Sequence, residues 1–294
     1  MKGNEVCRAR NGAVGDDGIS IDTHFKVTAL VDVGGEMTEK SIDLNVDLGE
    51  GFEHDFELIK LASSVNIACG WHAGDPLTMR RVTTEAIRQG VAIGAHPSFP
   101  DRENFGRAPM YLPADEVYAG VQYQVGALAA VVAGLNGRLV HVKPHGALYN
   151  MAEVNDELAF AIVRAIKDYD PGLLIYGLAG GLLVRLAREA GLLAVDEGFA
   201  DRAYTPEGKL VPRSQANAVL ESDVAACQQA LGMVRDGRIK AIDGRCIKIQ
   251  AGTLCLHGDG AHAVAFANKI GDALRDAGIA VRAPDTARRV SEHA

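Results

Sequence analysis

Residues 41–52 read SIDLNVDLGEGF, in which Ile42, Leu44 and Val46 alternate with Asp43, Asn45 and Asp47. That is the two-residue period of an extended chain whose faces meet different surroundings. Residues 139–145, LVHVKPH, repeat the pattern and put His141, Lys143 and His145 on one face. A strand buried in a parallel sheet is normally apolar on both faces, and polar groups enclosed there cost energy unless paired or solvated. A ligand-bearing cavity inside a barrel accounts for both stretches more simply than an ordinary core.

Working outward, short apolar runs alternate with helical patterns along the chain. SVNIACG (64–70), VAIGAH (91–96), LLIYGLAG (173–180), LLAVDEGFA (192–200) and IKIQAGTLCLHG (247–258) read as five further strands. Between them lie helical segments such as TMRRVTTEAIRQG (78–90), which closes on Gly90, and DELAFAIVRAIKDY (156–169). Seven strands interleaved with helices are the signature of parallel βα units. Such units close into a barrel or form an open doubly wound sheet. The expectation is one (β/α) barrel over residues 41–294. Residues 1–40, polar and Gly-rich apart from HFKVTALVDVGG (24–35), are expected to be a poorly ordered extension.

Composition narrows the function. The net charge is −8 and no basic stripe occurs, so a nucleic-acid groove is not expected. No apolar run reaches about 18 residues, so no membrane span is expected. The five cysteines have no CxxC spacing and no signal pattern opens the chain, which predicts free thiols in a cytoplasmic protein.

Ligands of parallel α/β folds sit at the carboxyl ends of the strands. Those ends carry Asp47-Leu48-Gly49-Glu50, Trp71-His72, His96-Pro97, Lys143-Pro144-His145, Asp201-Arg202 and His257-Gly258-Asp259. One strand-end histidine is ordinarily structural, but four at equivalent places point to chemistry. The motifs GxxxxGK[ST], GxGxxG and GxSxG are absent.

The blocks DLNVDLGEGF, SVNIACGWHAGDP, GVAIGAHPSFPD with FGR, HVKPHGALYN, EGFADRAY with LVPR, and LCLHGD together resemble the successive motifs of the LamB/YcsF family, from residue 42 to about 282. Val46 and Trp71 depart from the family pattern without removing a polar group. The resemblance implies a distorted seven-stranded barrel of the glycoside hydrolase/deacetylase type. It also implies ATP-dependent opening of 5-oxo-L-proline to L-glutamate, completed by partner subunits B and C that use most of the ATP. On that resemblance, Asp47 or His72 is the general base on water, with the other as its orienting partner. Lys143 and His145 stabilise the oxyanion or a phosphate. Arg202 holds the substrate carboxylate, and Asn45, Glu50, His96, Asp201, His257 and Asp259 complete the pocket. Asp47, His72 and His145 or His96 are also the candidate ligands of a divalent metal. The competing functions are a metal-dependent deacetylase-like hydrolase and a non-catalytic lactam-binding protein.

Overall fold

The computed structural model describes residues 40–220, 222–256 and 262–284. In chain order the strands are β1 (Ser41–Leu48), β2 (Ser64–Ala68), β3 (Ala92–His96), β4 (Leu139–Val142), β5 (Leu174–Leu178), β6 (Ala194–Phe199), β7 (Arg238–Lys240), β8 (Cys246–Lys248), β9 (Thr253–Leu256) and β10 (Ala280–Val281). The helices are α1 (Asp55–Ile59), α2 (Pro76–Gln89), α3 (Ala114–Gly134), α4 (Gly146–Ala152), α5 (Asp156–Tyr169), α6 (Leu182–Glu189), α7 (Asp223–Leu231) and α8 (Ala263–Asp276). Strands β1 to β6 and then β9 pair in that order, all parallel, and β9 returns to β1. The result is a closed seven-stranded barrel, the first of the two arrangements open to alternating βα units. β10 lies parallel to the start of β1.

The stretch read as one seventh strand divides in two. Its first half, β8, turns back on β7 as an antiparallel hairpin, and only β9 joins the barrel. Ile249, Gln250, Ala251 and Gly252 separate the halves, with the Gly252 N–H bonded to Asp196 O. The 24–35 segment lies outside the described residues. Cys69, Cys227 and Cys255 are free.

Local chemistry sets the helix ends. Asp75 accepts the Thr78 N–H at 2.7 Å, Pro76 supplies a preset φ at the first position, and Gly90 closes α2 at φ 69°. Asn155 caps α5 in the same way, with Asp156 and Glu157 in the first turn and Lys167 in the last. Among the described residues α3 alone is long and apolar enough to cross a bilayer. Its apolar face is committed to the barrel: Val117, Val121, Val125, Leu128 and Val132 are buried in the main core. Each such side chain contributes roughly 1.5–3 kcal/mol relative to exposure.

The lumen is polar in layers. Deepest lies Asp43, whose carboxylate accepts four hydroxyls: Ser63 at 2.6 Å, Ser64 and Thr253 at 2.7 Å, and Tyr176 at 3.0 Å. Above it the Asn45 amide donates to Glu197 Oε1 and Thr253 Oγ1. Asn66 donates to Asn45 Oδ1 and Asp47 Oδ1 and accepts from His141 Nε2 at 2.7 Å. His141 fits because β3 and β4 shift register at Ile93/Gly94; a Cβ on Gly94 would stand 2.0 Å from its Nε2. Here hydroxyls and amides do what branched aliphatics do in an ordinary barrel interior.

Candidate active site

The lumen ends upward in Lys143. Its ammonium meets Asp47 Oδ1 and Glu197 Oε1 at 2.9 Å each, and Asn45 Oδ1 and Cys255 Sγ at 3.0 Å. An ammonium has three protons, so four neighbours saturate it. Burial works against its charge, but Asp47 leads the opposing groups and holds it protonated well above its usual range. Lys143 therefore compensates two buried carboxylates. The expectation that it donates to an oxyanion or phosphate does not fit this geometry.

Four imidazole and carboxylate groups crown the lysine. Glu50 enters from the β1–α1 turn, where Asp55 Oδ2 holds the Gly49 N–H at 2.9 Å. His72 comes from the loop after β2. Trp71 beside it lies over Gly120 of α3 and stacks on Tyr123 with centroids 6.0 Å apart. His96 ends β3, and His145 immediately precedes α4. His72 and His145 stack face to face at 3.8 Å and 5°.

Hydrogen bonds fix where the ring protons stand. His96 Nδ1 lies 2.7 Å from Lys143 O, and His145 Nε2 lies 2.9 Å from Phe105 O. Carbonyls only accept, so both of these outer nitrogens must carry protons. The inner nitrogens, His96 Nε2 and His145 Nδ1, face each other at 2.9 Å. In neutral rings both would present lone pairs, so a proton or a cation has to stand between or beside them. Burial would lower His96, but Asp47, with its Oδ2 at 3.4 Å, outweighs it and raises the imidazole above its usual range. Burial and then the His96 charge depress His145, and burial depresses His72 to about 2, so both remain neutral.

Glu50 Oε1 completes the arrangement, 3.0 Å from His72 Nε2, 3.3 Å from His145 Nδ1 and 3.8 Å from His96 Nε2. The donor atoms of Glu50, His72, His96 and His145 all lie within 4.8 Å of one another. A tetrahedron with bonds of ~2.05 Å has edges of roughly 3.3 Å. The set therefore has the spacing and the convergent lone pairs of a metal site, with outer N–H anchors on His96 and His145 but none on His72 Nδ1. The ligands read from sequence are corrected in one place: Glu50 takes the position given to Asp47, which stays with Lys143 and His96. The pairing of Asp47 with His72 is also replaced, because His72 meets Glu50 and Asp47 meets His96.

Backbone strain helps to hold this crown. Phe105, whose carbonyl anchors His145, has φ 56°, unusual for a bulky residue. Gly106 follows at φ 65°, and a Cβ there would come 2.8 Å from His72 Cβ and 2.9 Å from His145 Cδ2. Only a glycine lets that loop approach both rings.

A cavity of about 490 Å³ opens beside the crown. Asp47, Glu50, His96, Lys143 and His145 line one side; Tyr149, Glu153, Arg107, Arg202, Lys209 and Arg213 are on the remainder. Asn45 lies below the floor, fully enclosed, and supports Glu197 and Lys143 without reaching the cavity. Asp201 is absent from the lining, although its neighbour Arg202 is in it. His257 and Asp259 lie outside the described residues. Tyr149, Glu153, Lys209 and Arg213 received no role from sequence; Tyr149 stands in HGALYN and Arg213 in LVPR, both motifs quoted above, so the signal was present but unassigned.

Glu153 Oε2 accepts the Leu182 N–H at 2.7 Å at the start of α6, and burial raises its carboxyl to about 7. Between its ordinary range near 4.5 and 7 the folded chain binds more protons than the unfolded one, so stability falls as pH rises through that window. Glu153→Gln keeps an acceptor for Leu182 and removes the titration. Relative to the native chain it is expected to gain about 1–2 kcal/mol at pH 8 and nothing at pH 4, read from urea midpoints at both pH values. An equal offset at both would refute the assignment.

Comparison with known proteins places this site in context. The model of the LamB/YcsF family matches residues 42–289. A lactam utilization protein from Thermus thermophilus is similar at 43% identity, with 83% of this chain and 100% of that chain covered and a TM-score of 0.79. A putative cellobiose-phosphate cleavage protein from Enterococcus faecalis shares the fold at 12% identity and a TM-score of 0.50, over 83% of this chain and 97% of that one.

Proposed function

The chain belongs to the LamB/YcsF family, and on that footing we propose that it is the ring-opening subunit of an ATP-dependent 5-oxoprolinase, converting 5-oxo-L-proline to L-glutamate. The observation that carries this reading is the convergence of Asp47, Glu50, His96 and His145 on one cavity, with His72 outside its lining but bonded to Glu50 and stacked on His145. Its support in the comparisons is the similar lactam utilization protein, matched along its whole length.

The chemistry is hydrolysis of a cyclic amide. A water oxygen adds to the lactam carbonyl carbon while Asp47 Oδ2 takes its proton. The C–N bond then breaks and that proton passes to the ring nitrogen, which leaves as the amine of glutamate. Lys143 compensates Asp47 and Glu197 throughout. The neutral Tyr149 phenol, held protonated by burial and by Glu197, lines the same cavity as a hydrogen-bond donor. Glu50, His72, His96 and His145 fit a divalent cation, and imidazole-rich sets favour zinc-like ions. Such an ion supplies Lewis acidity toward a carbonyl oxygen.

The released amine sits close to its own carboxyl, and high effective molarity favours the closed ring. Opening therefore has to be driven, and phosphorylation of the lactam oxygen by ATP would drive it: water addition at the phosphorylated carbon and C–N cleavage then give γ-glutamyl phosphate, and a second water releases inorganic phosphate to leave glutamate. The chain has neither phosphate-binding motif, so that step is assigned to partner subunits B and C.

The test is reconstitution with those subunits, ATP and 5-oxo-L-proline in ¹⁸O-labelled water. Labelled glutamate is expected from the complete complex, and no ATP turnover from this chain alone. ATP hydrolysis by the isolated chain at the rate of the complex would overturn the division of labour. Absence of glutamate from the complete complex would overturn the reaction.

A further inference from the structure

The loop after β6 carries an electrostatic feature that ring opening alone does not explain. Arg202 is 6% exposed and lines the cavity. Its guanidinium donates to two backbone carbonyls, Val211 O at 2.6 Å and Ala218 O at 3.3 Å. Among the described residues no carboxylate forms an ion pair with it; Asp201, next in sequence, contributes only longer-range attraction. A buried cation with neutral partners is costly, by several kcal/mol, unless an anion joins it.

Two more cations reach the same cavity from the same excursion, Lys209 and Arg213. Neither forms an ion pair with a described residue, and Arg213 lies near enough to work against the charge on Arg202. Their platform is built rather than loose. Arg202 bridges Val219 and Tyr204 bridges Leu210, while Ala203, Val211 and Ala218 pack as a small core of their own. The Tyr204 hydroxyl accepts the Phe199 N–H at 2.8 Å and ties the excursion to β6.

The charges can be counted against a ligand. A small cyclic acid brings one carboxylate, which a single arginine fork satisfies. With the Glu153 carboxyl on the same cavity wall and close enough to feel Lys209, three clustered cations leave between about one and two positive charges over, which suits the negative charge of about 1.5–2 on a phosphoryl group near neutral pH. Lys143 cannot take that role, since its protons are all engaged. The cavity, about 490 Å³, has room beyond one five-membered ring.

We propose that Lys209 and Arg213, backed by Arg202, form a phosphoryl-binding subsite, so that this chain receives its substrate as a phosphorylated small acid and retains inorganic phosphate there. The proposal rests on the ring-opening reading for the identity of the acid, but not for the existence of the subsite. A phosphoryl group could equally arrive on a nucleotide, and the test separates the two.

Calorimetric titration of the full chain with inorganic phosphate at low ionic strength, compared with chloride and with a non-hydrolysable ATP analogue, reads the subsite directly. Saturable phosphate binding is expected. Lys209→Gln with Arg213→Gln should weaken it at least tenfold, while melting like the native chain in phosphate-free buffer. Asp47→Asn should bind phosphate normally. No saturable binding, or undiminished binding by the double variant, overturns the proposal. So does an ATP analogue that binds through these residues more than tenfold tighter than phosphate, which would make the site a nucleotide site. Phosphate binding that depends on Lys209 and Arg213, in a chain whose complete complex with subunits B and C and ATP forms no glutamate from 5-oxo-L-proline, would leave the subsite standing and remove the substrate reading instead.

Discussion

Asp47→Asn is expected to lower glutamate formation by the reconstituted complex roughly a thousandfold or more while leaving the fold intact, the scale general-base removal commonly reaches. Asp47 Oδ1 is engaged by Lys143 and Asn66, and an asparagine oxygen can accept both bonds. Oδ2, aimed at His96 Nε2 from 3.4 Å on the cavity side, becomes an NH₂ that cannot take a proton. Loss of one negative charge also leaves Lys143 paired with Glu197, so no buried cation is stranded. The effect should thus fall on kcat, with little change in melting temperature. Because Asp47 is outside the group of four converging donors, metal binding should persist in the variant. Turnover within tenfold of the native complex would remove Asp47 as the base, and unfolding would show that its role is structural.

The barrel was legible because its signal is local. Alternation in β1 and the His141–Lys143–His145 face name a polar lumen before any tertiary contact is known. Helix ends such as Asp75-Pro76 and Gly90 announce themselves through capping and αL chemistry. What sequence could not show is which polar groups satisfy one another. The saturation of Lys143 depends on Glu197 and Cys255, 54 and 112 positions away. The exchange of Asp47 for Glu50 among the converging donors depends on a turn fixed by Asp55, and carboxylates two or three residues apart look alike in a linear pattern. The β8–β9 division was hidden because both halves are apolar enough for a strand. The basic residues of the 201–220 excursion were hidden for the opposite reason: Lys209 and Arg213 resemble ordinary solvated charges until the fold turns them toward the cavity.

The second large effect concerns the crown itself. After chelation and dialysis the native chain is expected to bind one zinc-like divalent ion, and His96→Ala to bind it at least a hundredfold more weakly. The outer protons on His96 Nδ1 and His145 Nε2 are committed to Lys143 O and Phe105 O, so each ring can offer only its inner nitrogen, and those nitrogens stand 2.9 Å apart. Removing His96 takes away one donor and the group that shares the proton with His145. Phe105 O should then matter as a support, in the ten- to hundredfold range usual for such anchors. Proton linkage gives an independent readout. Asp47 and Glu50 raise His96 above the ordinary histidine range against the effect of burial, so an entering cation has to displace a proton from the inner pair near neutral pH. Affinity should weaken about tenfold for each unit of pH lowered there, and titrations in buffers of different ionisation heat should report about one proton released per ion. Inductively coupled plasma analysis of the same samples fixes the stoichiometry. Metal bound equally well by His96→Ala, or bound by the native chain with no proton release, would mean that the inner nitrogens are joined by a shared proton alone and that Asp47 works beside an imidazolium.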